Sequence, residues 1–307
     1  MSSKYRPKGI YSALWIPTDD SSRIDRQAIA GLIDFERGHG IHGILALGST
    51  GEFPQFSIEE RKVALRSVIE LSGGLPVIAN ITDIRPRAAV ELGRFAKETG
   101  AVAVALMPPM FYPVSPADQL AYFLHVAERV DLPVMLYNFP ELTGKRIDLE
   151  VVSGFADRAA MCGIKQSGAE FAYHRDLIAL GKAKNFSVMS GADTRLSEVF
   201  ALGAAGAIGG LVNIVPEWMV ALHRMCSEGQ PGDHRAIASA MVEVGRMVDQ
   251  LTFPLNVAAG IQARGLNPGV PKMIVSDESR ALYGKVISDL RALFLGMKVP
   301  VAAAAVA

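Results

Sequence analysis

Short apolar runs rich in β-formers alternate with amphipathic helical patterns from residue 9 to about residue 214, and this alternation leaves few folds open to the chain. Eight runs read as strands: 9–15, 42–47, 76–81, 102–106, 133–137, 161–165, 186–190 and 207–210. Each is largely apolar on both faces, as a strand buried between two layers must be. Eight parallel strands close a barrel, so the expected fold class is α/β, a (β/α)8 TIM barrel over residues 1–215. The connecting segments carry helix ends. Ser57-Ile58-Glu59-Glu60 reads as a capping box opening a run to Leu71, Gly38 and Gly40 stand where a helix begun near Asp25 should stop, and Pro86 and Pro116 suit a first helical turn. Residues 216–298 show further helical patterns without a convincing strand and are expected to form a helical extension of the same domain. Residues 299–307 are low in complexity and are expected to be a disordered tail.

Composition excludes several classes of function. The 31 basic and 31 acidic residues cancel, so no basic face is on offer to nucleic acid. Cys162 and Cys226 are too few for a disulfide framework or a cysteine-rich zinc site, and they fit a reducing cytoplasm. Residues 1–15 lack the apolar run of a signal peptide. The longest apolar stretch, 101–111, is interrupted by Pro108 and Pro109 and falls short of the roughly 20 residues of a spanning helix, so no membrane segment is expected. The histidines show no metal-ligand spacing: His39 and His42 straddle a helix end and a strand start, and no metal is expected.

In a barrel of this kind the chemistry sits at the C-terminal ends of the strands. The polar residues there are selective: Gly48-Ser49-Thr50-Gly51-Glu52 after the second strand, Asn80 after the third, Tyr137-Asn138 at the fifth, Lys165-Gln166-Ser167 at the sixth, and Ser190-Gly191-Ala192-Asp193 at the seventh. Lys165 ends an otherwise apolar strand, where burying an ammonium group is costly. Desolvation disfavours the charged form, and a neutral amine attacks carbonyl carbons. The plain alternatives are a lysine snorkelling to solvent or pairing with Asp193 or Glu52. Tyr137 ends the neighbouring strand and could shuttle protons in the same mouth, or serve as a core aromatic with a wetted hydroxyl. The Gly48–Glu52 turn offers hydroxyls and backbone N–H groups to a carboxylate, or is simply a tight turn. Glu52 itself fits either a partner for Lys165 or a helix-start charge.

Together, Gly48-Ser49-Thr50-Gly51-Glu52, Tyr137-Asn138-Phe139-Pro140-Glu141-Leu142-Thr143-Gly144 and Gly163-Ile164-Lys165 resemble the dihydrodipicolinate synthase / N-acetylneuraminate lyase family of class I, Schiff-base aldolases. The resemblance runs in order and spacing from Gly9 to about Pro216. It implies that Lys165 forms an imine with a 2-keto acid, that Tyr137 shuttles protons, and that Ser49 joins the relay. It implies that Ser49, Thr50 and Gly51 bind the substrate carboxylate, with Leu142, Ser167, Asp193 and Gly210 lining the rest of the site. No cofactor is implied beyond the covalent imine. The expected partners are a small keto acid and further copies of the chain, in a homotetramer or homodimer.

Three departures from the family pattern bear on substrate. Leu142 stands where dihydrodipicolinate synthases carry an arginine for the second substrate's carboxylate, which argues against lysine biosynthesis. Phe111, beside Tyr112, stands where a further relay tyrosine is common. Thr194 and Gly210 stand near positions where neuraminate lyases place polar residues for the sugar. The expected activity is therefore cleavage or condensation of a smaller hydroxylated or aromatic 2-keto acid with pyruvate as product or donor, closer to N-acetylneuraminate lyase or 2-keto-3-deoxy sugar acid aldolase. Dihydrodipicolinate synthesis, dehydration of a 2-keto-3-deoxy sugar acid and non-catalytic keto-acid sensing stay open. A metal-assisted barrel enzyme would need clustered carboxylates or histidines at strand ends, and the sequence shows none.

Overall fold

The computed structural model describes residues 5–168, 170–297 and 299. Its eight strands are β1 Gly9–Ala13, β2 Gly43–Ala46, β3 Val77–Asn80, β4 Ala103–Leu106, β5 Val134–Asn138, β6 Met161–Gln166, β7 Ser187–Ser190 and β8 Gly206–Gly209. All pair in parallel in chain order, and β8 pairs back to β1 to close the barrel. All the strand residues are buried, which is why each run lacks the polar alternation of a half-exposed strand. The expected (β/α)8 barrel is the observed fold.

Strand ends differ from the expectation by one or two residues, for identifiable reasons. β1 stops at Ala13 because Trp15 leaves the ladder: its backbone N–H donates to Asn213 Oδ1 at 2.9 Å and its indole N–H to Pro268 O at 2.7 Å. β5 and β6 each run one residue further, where Asn138 Nδ2 donates to Gln166 Oε1 at 2.6 Å. The helix signals act as read. In α2, Ile58–Leu71, Ser57 Oγ accepts from the Glu60 N–H while the Glu60 carboxylate accepts from the Ser57 N–H, and Pro86 and Pro116 open α3, Pro86–Thr99, and α4, Pro116–Val130.

The extension comprises α9 Pro216–Ser227, α10 His234–Val248, α11 Leu255–Ala263 and α12 Asp277–Gly296. Buried Arg264 ties it together by donating to Ile214 O at 2.6 Å and Glu217 Oε1 at 2.7 Å. The tail expected from residue 299 starts differently: Val299 is buried and its N–H donates to Phe294 O at 2.8 Å. Residues 300–307 lie outside the described residues.

One buried carboxyl sets a pH dependence for the fold. Glu36, in α1 Arg26–Gly38, is fully buried, accepts from Ser12 Oγ at 2.7 Å, and has no partner for Oε2 among the described residues. Burial pushes its pKa from 4.5 up to about 8, against the opposing pull of the Ser12 bond. Between those values the unfolded chain releases a proton that the folded chain keeps. This group therefore favours the fold at low pH, and that contribution is lost as pH rises through the window, by up to about 1.4 kcal/mol per unit. Glu36→Gln is expected to be more stable than the parent at pH 8, by a margin that shrinks toward pH 5 in denaturant titrations. A margin independent of pH would refute this.

Candidate active site

The register of β5 and β6 places Tyr137 directly beside Lys165, while Asn138 and Gln166 alternate to the other face. Lys165 is 4% exposed, and its Nζ donates to the Tyr137 hydroxyl at 2.8 Å and sits 4.2 Å from the centre of that ring. Among the described residues no carboxylate lies within ion-pair distance of Lys165, so neither Asp193 nor Glu52 takes it as a partner. The Tyr137 hydroxyl also lies 3.3 Å from Ser49 Oγ, giving an unbroken chain from amine to phenol to hydroxyl. A buried amine with no counter-ion, next to two groups that both donate and accept protons, is suited to nucleophilic attack with proton transfer.

Lys165 and Tyr137 open on a cavity of about 310 Å³ that Thr50, Ser167, Asp193 and Gly210 also line. Three expected members, Leu142, Gly51 and Ser49, do not line this cavity. Leu142, on the short helix α5 Pro140–Thr143, is 51% exposed and faces an adjoining apolar cavity of about 240 Å³ with Phe53, Met107, Met110 and Met273. Gly51 is structural: a Cβ there would stand 2.9 Å from Leu14 O, and its N–H is taken by Gly48 O at 3.1 Å. The Glu52 N–H is likewise taken, by Ser49 O at 3.1 Å, whereas the N–H groups of Ser49 and Thr50 make no hydrogen bond among the described residues. Those two, with the Thr50 hydroxyl, are the donors left to an anion. Ser49 lines the adjoining cavity, so it stands between the two.

Asp193 follows β7 on a 3-10 turn, and its Oδ2 accepts from the Leu211 N–H at 2.9 Å. Burial pushes its pKa from 3.8 up to about 6, opposed by that hydrogen bond and by the charge of Lys165. Close packing explains the glycine before it: a Cβ on Gly191 would lie 2.3 Å from Ser167 Oγ and 3.2 Å from Lys165 Cε.

The helical extension also builds the cavity, which the sequence did not reveal: Val248 and Asp249 from the end of α10, Phe253, and Asn256 and Val257 from α11 complete its wall. The extension further supplies the partner of Glu52. That carboxylate neither meets Lys165 nor caps a helix; it pairs with Lys272 Nζ at 2.8 Å, both side chains nearly solvent-free. Burial lowers the pKa of Lys272, and the Glu52 charge opposes that. Phe111 is 82% exposed with a φ of 80° and packs edge-on to Tyr112, outside this chain's own cavity.

The fold also gathers residues whose spacing in sequence conceals them. His42, His223 and Glu228 meet at the N-terminal end of the barrel, with ligand-capable atoms within 4.8 Å of one another. His42 Nδ1 accepts from the Ile10 N–H at 3.0 Å, however, which places the imidazole proton on Nε2 and leaves no lone pair there for a cation.

The chain matches the model of the dihydrodipicolinate synthetase family over residues 6–290. It is 31% identical over 302 residues to an uncharacterized DapA-like lyase of Thermofilum pendens, covering 95% of this chain and 98% of the relative. It is 33% identical to a putative 2-dehydro-3-deoxy-D-gluconate aldolase, YagE, of Escherichia coli over 76% of this chain and 79% of that one. The crystal structure of YagE in complex with pyruvate superposes with a TM-score of 0.87 at 30% identity, covering 94% of this chain and 99% of that chain. The dihydrodipicolinate synthase of Aquifex aeolicus superposes with a TM-score of 0.88 at 26% identity, covering 97% of this chain and 100% of its own. With a buried lysine against a tyrosine in the mouth of a closed barrel, and a family match across nearly its whole length, this chain belongs to the dihydrodipicolinate synthetase family and is a lyase of the class I aldolase type.

Proposed function

We propose that the chain is a Schiff-base aldolase that cleaves a hydroxylated 2-keto acid to pyruvate and an aldehyde, and runs the condensation in reverse. The single observation that carries this is the Lys165–Tyr137 pair, 2.8 Å apart and buried in the barrel mouth with no ion-pair partner for Lys165 among the described residues. The Lys165 amine adds to C2 of the keto acid, and Tyr137, within reach of both Nζ and Ser49, delivers the proton with which the carbonyl oxygen leaves as water. The resulting iminium accepts the electron pair when the C3–C4 bond breaks, while the C4 hydroxyl loses its proton to the Tyr137–Ser49 relay and becomes the aldehyde. The enamine takes a proton at C3, and water hydrolyses the imine to release pyruvate and the free lysine. Thr50, with the free N–H groups of Ser49 and Thr50, holds the carboxylate. No cofactor enters these steps.

Several observations support the finer reading. One similar structure holds pyruvate, and one similar protein is named a deoxygluconate aldolase. Leu142, in place of an arginine and turned to an apolar cavity, offers nothing to a second carboxylate, which favours a sugar-acid type of substrate over dihydrodipicolinate synthesis. The exposed Phe111 and Tyr112 support a homo-oligomer. Among the described residues no helix is long and apolar enough to cross a membrane, which agrees with a cytoplasmic setting.

Incubation with pyruvate and borohydride, then peptide mass analysis, tests the reading: an adduct at Lys165 is expected, and an unmodified Lys165 sinks it. Turnover on a 2-keto acid panel then separates aldolase from dehydratase and from sensor. Tyr137→Phe is expected to lower kcat by roughly 10²- to 10⁴-fold with a smaller change in KM, because the relay is removed and the cavity is kept. An unchanged kcat would exclude Tyr137 from proton transfer.

A further inference from the structure

Lys165 meets Tyr137 at the end of a long, flexible side chain, which reacts efficiently only if something keeps it to one path. The turn after β7 does so from one side. Gly191 packs so closely there that an added Cβ would stand 3.2 Å from Lys165 Cε. The turn is itself held from behind: the Gly191 N–H donates to Gln166 O at 2.8 Å, the Ala192 N–H donates to Ser190 Oγ at 3.1 Å, and Ser190 Oγ lies 3.3 Å from His174 Nε2. His174, near the start of α7 Phe171–Lys184, is fully buried, as is Ser190. Burial lowers the pKa of His174, against the pull of the Glu170 and Gln166 carbonyls, so the ring is neutral at pH 7. Its one proton has a definite place. Nδ1 faces Glu170 O at 3.4 Å, and a carbonyl only accepts, so Nδ1 carries the hydrogen and Nε2 accepts from the Ser190 hydroxyl. That leaves the Ser190 oxygen turned to the Ala192 N–H.

We propose that His174 is a positioning residue for imine formation: through Ser190 it fixes the turn at residues 190–193, which braces the Lys165 side chain so that Nζ stays against the Tyr137 hydroxyl. This rests on the aldolase reading above. His174 lines no part of the cavity, so its effect passes through the turn and not through the substrate. Removing the imidazole acceptor strands the buried Ser190 hydroxyl, which then turns to another acceptor and loosens its hold on the Ala192 N–H. A misplacement of about 1 Å in a reacting group can cost about 10²-fold in rate, so slack in the turn should appear in the rate of attack. In the proposed reaction the substrate carboxylate is held on a different turn, at Ser49 and Thr50, so binding should change little.

Borohydride trapping of pyruvate, quenched over a time course, reads how fast Lys165 reacts and how many chains react in the end. In His174→Leu the trapping rate is expected to fall by about 10- to 100-fold, while the final adduct per chain and the pyruvate concentration for half-maximal trapping stay within about twofold. His174→Gln, whose amide oxygen can accept from the Ser190 hydroxyl, should recover most of the rate. A folded His174→Leu that traps at the wild-type rate overturns the proposal, and so does a loss that glutamine does not recover, since that is the mark of packing alone. Should His174→Leu fail to fold, Ser190→Ala removes the other end of the link with little change of volume, and its trapping rate is read against the wild type in the same way. The wild type, trapped alongside, keeps the two claims apart. No adduct there removes the aldolase reading and the role of His174 with it, whereas an adduct formed equally fast in wild type and variant removes only the role of His174.

Discussion

Replacing Lys165 with methionine is expected to lower kcat/KM by about 10⁴-fold or more, the scale on which removal of a covalent nucleophile acts. The same variant should lose the borohydride-trapped pyruvate adduct completely. Its stability should move the other way. Lys165 is 4% exposed and has no carboxylate partner among the described residues, so the wild type bears the cost of desolvating an amine that a thioether of similar length does not carry. A denaturant midpoint at or above that of the parent, with activity gone, is the combined expectation. Residual turnover within a hundredfold of wild type would mean that catalysis does not pass through this amine.

The second large effect is expected far from Lys165 in sequence. Lys272 Nζ lies 2.8 Å from Glu52 and 4.3 Å from the centre of the Trp15 ring, with both charged side chains almost fully buried. Lys272→Met strands the Glu52 carboxylate and should destabilise the protein by about 3–5 kcal/mol. Adding Glu52→Gln removes the stranded charge and should restore much of the loss, since a buried pair replaced at both ends is often close to neutral. Glu52 belongs to the turn that presents Ser49 and Thr50, and its backbone is left-handed, with a φ of 54°. Pyruvate KM should therefore rise in Lys272→Met more than kcat falls. Equal stability of the single and double variants would show that the pair is not coupled.

These two lysines also mark how far the sequence could be read. The strands were legible because each is a short apolar run buried on both sides, and Lys165 was legible because it interrupts such a run at its functional end. Tyr137 could be placed beside it because adjacent parallel strands bring their ends together, and the register of β5 and β6 does so. Glu52 could be found but not assigned, since its partner stands 220 positions away in a segment with no periodic signature. Asn256, in the helix α11, and Phe253, in the turn before it, left no signal either: after the last strand a pocket-lining residue has the same local pattern as a core one. Gly51 and Leu142, named with the motifs that contain them, do not line the Lys165 cavity. The backbone spends one on a close approach to Leu14 O, and the turn of α5 points the other toward the neighbouring cavity.

The division of labour within the cavity has an evolutionary consequence. Lys165, Tyr137 and Ser49 stand on the strands and strand-end turns of a closed sheet, where a substitution disturbs the whole barrel, whereas part of the facing wall belongs to the end of α10 and the start of α11. The cavity is thus built from two separate stretches of the gene, the strand-end turns and residues 245–257. Residues 245–257 can therefore vary and reshape that part of the wall while the strands that carry Lys165 and Tyr137 stay as they are.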